Sequence, residues 1–190
     1  IVDSLFNDSF NAENLGLLKK RLLSSDVDDH IILVYSGHGL LGNDGNYYFP
    51  TSGMTAADFK NPSTKAISYK ELESLLDGIP SRNKLFLIDA CHSGIYDRNS
   101  ETVLNDSITT TQIMDELFTY VGRGTGTSVI ASSLGAEKSF EPKGAYYKHG
   151  FFSQSILEAM EKFQTINVSV LTKFILNRVP QLSNNKQKPS

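Results

Sequence analysis

The chain has 190 residues, 39% of them apolar and 21% charged, with a formal net charge of −3. That length suits one domain, able to bury about 70% of the surface its unfolded form exposes. With no basic surplus, no apolar run near the roughly 18 residues of a membrane helix and no signal-peptide pattern, neither nucleic-acid nor membrane partners are expected. The single cysteine cannot form an internal disulfide, which favours a reducing, cytoplasmic setting.

Strand and helix signals alternate along the chain. Asn11 is placed to cap a helix reaching about Leu23, with Leu15, Leu18 and Leu22 on one face. His30 to Tyr35 is almost wholly apolar and rich in Ile, Leu and Val, as in a strand covered on both faces. The turn-forming GNDGN leads to a short strand at Tyr47 to Phe49. Ser68 and Glu71 form a capping box, and Leu72, Leu75 and Leu76 give the helix behind it an apolar stripe. Buried strands are expected at Lys84 to Asp89 and Ser128 to Ser132, and amphipathic helices at Phe152 to Phe163 and Ser169 to Val179. The pattern predicts an α/β fold: a three-layer αβα sandwich around a mostly parallel sheet. Residues 93–126, polar and containing GRGTG, read as a flexible loop or processing linker, and the tail QLSNNKQKPS as a second mobile segment.

Functional groups of an open parallel sheet gather at the carboxyl ends of its strands. Ser36-Gly37-His38-Gly39 follows one apolar run and Asp89-Ala90-Cys91-His92-Ser93-Gly94 follows another, so both are expected on the same sheet edge. A neutral thiol, with an ordinary pKa of ~8.5, needs a base or cation beside it to react near neutral pH. His38 can take that proton and later return it to a leaving amine, so Cys91 and His38 together suffice for acyl transfer. Taken singly, a cysteine behind an apolar strand is usually a small buried hydrophobe, and a lone histidine is usually a hydrogen-bonded surface residue. A zinc site from His38, Cys91 and His92 is a third reading, but it lacks a second cysteine and the Cys-x-x-Cys spacing.

YSGHG followed by DACHSG resembles the caspase-like cysteine peptidases, above all the metacaspases and their bacterial relatives. In the caspase pattern the histidine lies about 50 residues before the cysteine motif; here the separation is 53 positions (91 − 38). DGNYYFP, VIASSLGAEKSFE and GFFSQSILEAM extend the similarity over nearly the whole chain. The resemblance implies a cysteine endopeptidase with Cys91 as nucleophile, His38 as acid/base, and the backbone N–H groups of Gly39 and Cys91 holding the oxyanion. It implies that Asp89, two residues before the cysteine, lines the pocket for the substrate side chain preceding the scissile bond. A carboxylate there favours Arg or Lys. Ser36 matches a second pocket position, and Ser132 lies where the family pairs its backbone with an extended substrate. Protein or peptide substrates are the implied partners.

No cofactor is required for this chemistry. Related metacaspases often need calcium, and Asp97, Asp106 and Asp115 are oxygen donors, though in no recognisable calcium loop. Residues 93–126 fall where such enzymes join their large and small portions, which makes Arg98 and Arg123 candidates for self-cleavage. Residues 1–190 read as a single, N-terminally incomplete peptidase domain. IVDSLF looks like the remnant of a second strand, and an upstream segment or regulatory domain outside the chain is expected to complete sheet and pocket. Two competing readings are an inactive caspase-fold scaffold and a metal-binding regulatory domain.

Overall fold

The computed structural model describes residues 12–42, 44–51, 53–55, 57–93, 126–133 and 149–190. Its sheet has five strands: β1 (His30–Leu41), β2 (Tyr47–Phe49), β3 (Ile67–Ser68), β4 (Asn83–Ser93) and β5 (Thr127–Ala131). Their order is β3-β2-β1-β4-β5, with β1, β4 and β5 parallel, β2 antiparallel to β1 and β3 antiparallel to β2. Helices α1 (Ala12–Leu22) and α2 (Tyr69–Leu76) pack on one face, α3 (Phe151–Lys162) and α4 (Val168–Leu182) on the other. The expected three-layer α/β sandwich is thus present.

Alternation along β4 feeds two separate cores. Phe86, Ile88 and Ala90 join Leu33 of β1, Leu18 of α1 and Leu72, Leu75 and Leu76 of α2. An aromatic knot closes this core: Phe49 meets Tyr35 edge-on at 4.7 Å and Tyr47 at 5.1 Å. Such pairs contribute about 0.5–1.5 kcal/mol beyond their buried area. On the opposite face Leu85 and Leu87 join Ile130, Phe152, Ala159, Leu171, Ile175 and Val179.

Helix ends follow the sequence closely. The Ser68 hydroxyl accepts the Glu71 N–H at 3.2 Å, and the Glu71 carboxylate accepts the Ser68 N–H at 2.7 Å, the reciprocal cap the sequence predicts. The other end of α2 is closed by Lys19, whose ammonium donates to the carbonyls of Ser74, Leu75 and Asp77. A cation on the orphan carbonyls of a helix terminus also suits the helix dipole.

Four expectations are corrected. Both strands that carry the SGHG and DACHS motifs run on past their apolar stretches, β1 to Leu41 and β4 to Ser93. Polar and glycine residues stay extended there because each strand supplies the other's hydrogen-bond ladder, from His30↔Asn83 to Leu40↔Ser93. Strand β1 is not covered on both faces: Ile32 and Val34 are 63% and 57% exposed, because α3 and α4 lie over β4 and β5 and draw on no described residue of β1. Helix α4 continues through Pro180 to Leu182 rather than stopping at Val179. Proline falls in the last turn, where its missing N–H forfeits a single intrahelical bond. Finally, the tail is docked. Gln187 is fully buried, its N–H bonds the Ser183 hydroxyl at 3.0 Å, and Ala131 and Ser190 exchange backbone hydrogen bonds of 2.8 and 3.1 Å.

Among the described residues no helix is long and apolar enough to cross a membrane.

Candidate active site

The site is built by the register of two parallel strands. His38 is the Cα partner of Cys91, and Ser36 is the partner of Asp89. Neighbouring strands lie about 4.8 Å apart, so these four residues form two adjacent pairs, one step of the pleat apart. Ser36 and Asp89 continue the face that carries Val34 and Leu87, the face over which α3 and α4 pack. Both Ser36 and His38 are exposed. A cavity of about 370 Å³ runs along β1 from Leu33 to His38, with Pro50 and Thr51 at its wall.

The glycines of the SGHG motif have packing reasons as well as conformational ones. A Cβ on Gly39 would stand 1.5 Å from the Tyr47 hydroxyl oxygen, and one on Gly37 would stand 2.8 Å from that of Tyr35. Phenol rings occupy the space that side chains would take, so Gly39 admits no side chain, and at Gly37 the Tyr35 ring would have to give way. The Tyr35 hydroxyl donates to the His38 carbonyl at 2.8 Å, bracing the strand backbone at the histidine from inside the motif. Burial pushes the pKa of Tyr35 well above the ordinary phenol range, which keeps it a donor. Sequence reasoning missed this residue. Its signal was a tyrosine directly before Ser-Gly-His-Gly.

The carboxylate of Asp89 accepts a hydrogen bond from the Ser153 hydroxyl at 2.5 Å. Ser153 is the third residue of α3, so β4 and the first turn of that helix meet at Asp89. Ser132 lies beside Asp89 on the β5 side of β4. It is buried, its N–H donates to Ile88 at 2.8 Å, its hydroxyl donates to the Ala90 carbonyl at 3.2 Å, and its carbonyl accepts the Gln187 amide at 2.8 Å. Of the predicted site residues, Ser36, His38, Gly39, Asp89 and Cys91 therefore come together on β1 and β4, and Ser132 bonds the carbonyls on either side of Asp89 from β5. The self-cleavage candidates Arg98 and Arg123, and the oxygen donors Asp97, Asp106 and Asp115, lie outside the described residues, as does most of 93–126. Among the described residues no group of three His, Cys, Asp or Glu converges to hold a metal ion.

A parallel sheet that sets a histidine and a cysteine in register on neighbouring strands has the framework of a cysteine-protease-like fold. The chain belongs to the caspase domain family, whose model matches residues 10–190. Its fold is similar to the crystal structure of protein GSU0716 from Geobacter sulfurreducens, with a TM-score of 0.53 and 19% identity over 94% of this chain and 71% of that one. No curated protein matches the chain. Membership of the family supports a cysteine peptidase in general, with protein as its class of substrate.

Proposed function

We propose that the chain carries the catalytic centre of a cysteine endopeptidase of metacaspase type, cleaving after Arg or Lys. The observation that supports it best is the paired register, His38 with Cys91 and Ser36 with Asp89. It sets the two groups that must exchange a proton on adjacent strands, with a carboxylate two residues before the nucleophile.

In this reading the Cys91 thiol gives its proton to His38 as its sulfur attacks the scissile carbonyl. The N–H groups of Gly39 and Cys91 hold the oxyanion, each donor contributing roughly 3 kcal/mol to the transition state. The C–N bond then breaks, the leaving amine takes the proton from His38, and a thioester remains. Water attacks the thioester and delivers a proton to His38. The carboxylate product departs as the proton returns to sulfur. Asp89 and Ser36 form the acidic side of the pocket for the preceding residue, where a carboxylate meets guanidinium or ammonium with charge-assisted hydrogen bonds.

The test is a peptide library varied at the residue before the scissile bond, assayed with wild type, Cys91→Ala, His38→Ala and Asp89→Ala. Because Cys and His act as one unit, loss of either should lower cleavage by about 1,000-fold or more while the thermal midpoint stays put. Activity retained in Cys91→Ala would sink the mechanism. Cleavage after aspartate in preference to arginine would sink the specificity.

A further inference from the structure

The hydrogen bond between Ser153 and Asp89 carries an inference about specificity, one that rests on the proposed role of Asp89 as the acidic wall of the substrate pocket. Asp89 and Ser153 are 64 positions apart and only partly buried, and their oxygens stand 2.5 Å from each other. That is the length of a charge-assisted O–H···O⁻ bond, roughly twice as strong as a neutral one. A strand carboxylate has two side-chain torsions. Accepting this bond favours one rotamer, and favouring it in the free protein lowers the ordering cost when a cation binds.

Holding the helix in place does not require that bond. The first turn of α3 is already anchored by Phe152, 1% exposed in the core with Leu85, Leu87 and Ile130. Ser153 therefore points at Asp89 from a helix whose position is set by other contacts.

We infer that Ser153 is a positioning residue for substrate specificity: its hydroxyl holds the Asp89 carboxylate in the orientation that receives the guanidinium or ammonium of the substrate. The hydroxyl does not touch the reacting atoms, so its removal should weaken binding of the basic side chain and leave the chemical step alone.

Wild type, Asp89→Asn, Ser153→Ala and Ser153→Thr are compared on paired peptides carrying Arg or citrulline before the scissile bond. Binding of the Arg peptide to the same variants in a Cys91→Ala background is measured by calorimetry. Ser153→Ala is expected to raise KM and Kd for the Arg peptide about tenfold, with kcat within about twofold and the citrulline peptide unaffected. Ser153→Thr, which keeps the hydroxyl, should restore both constants to within about twofold. Should Ser153→Ala not fold, Ser153→Cys, of similar volume but a weak donor, carries the same expectation. An Arg KM unchanged in Ser153→Ala but raised in Asp89→Asn would overturn the inference and leave the role of Asp89 standing. An equal fall in kcat on both peptides would overturn it too, because the serine would then act through packing of α3. If Asp89→Asn left the preference for Arg over citrulline intact, the reading of Asp89 itself would fall. Absence of any cleavage by wild type would refute the proposed reaction, and the calorimetric comparison would then decide the role of Ser153.

Discussion

The two flanks of β4 differ sharply. On the β5 side every layer is closed: α3 and α4 cover the face, and the C-terminal segment pairs with Ala131 at the edge and buries Gln187 beneath it. On the β1 side no described residue joins that cover. Val34 and Leu87 are partners in register, yet they are 57% and 5% exposed; Ile32 and Leu85, two residues earlier, are 63% and 8% exposed. Among the described residues β1 pairs with β2 only at Leu40 and Leu41, so His30 to Gly39 meets a strand on the β4 side alone. The residues proposed to act on substrate sit where the closed flank meets the open one. Asp89 is gripped from the closed flank by Ser153, while Ser36 and His38 face the open one. Rigidity and access come from different neighbours.

The largest expected effect tests that contrast directly. Leu87→Ala should lower unfolding free energy by about 2–5 kcal/mol, the usual cost of emptying a buried leucine site. Val34→Ala, its register partner, should cost less than about 0.5 kcal/mol, as exposed positions do. Urea unfolding of both variants measures the difference. Equal losses would mean that the face over β1 is covered in solution and that the flanks are alike.

A smaller effect comes from the edge. Gln187→Ala leaves the buried Ser132 carbonyl without its amide donor, a change worth about 1–3 kcal/mol. An unchanged urea midpoint would show that the C-terminal segment adds nothing to the closed flank.

The smallest lies on the helices outside it. Arg178 bonds the Glu158 carboxylate from α4 and holds its pKa below the ordinary 4.5, against a weaker upward push from burial. Because the folded pKa is the lower one, the pair's stabilisation is complete above about pH 5 and is lost as pH falls through the folded value. Side-chain exposures of 34% and 23% keep it below about 1 kcal/mol. Glu158→Gln should therefore narrow the stability gap between pH 7 and pH 3 slightly. A gap as wide as in wild type would remove the pair from the account.

What was legible in the sequence was whatever rests on local chemistry. The Ser68–Glu71 cap, the strand at Tyr47–Phe49 and the stripes of the helices all declare themselves within a few residues. The meeting of SGHG with DACHS was legible too, because two apolar runs of parallel-strand type end at those motifs. Contacts across long separations were not. Ile32 and Val34 look like core because an apolar run carries no mark of which neighbour covers it. Gln187 looks like solvated tail because its polarity gives no hint that the Ser132 carbonyl awaits it. Ser153 reaches Asp89, 64 positions away, only after the sheet and its helices have come together, so its role could be read from geometry alone.

The alignment of His38 with Cys91 has a consequence in time. A parallel pairing needs a long crossover, and here the 41 positions from Gly42 to Arg82 (82 − 41) must collapse before the first bond between β1 and β4 can form. Pairings of such high contact order form slowly, after local helices. A slip of one residue would set His38 beside Ala90 or His92 and reverse its face relative to β4. A nascent chain thus holds both motifs long before they meet, and whatever reactivity the pair possesses switches on as a late, all-or-none event of folding.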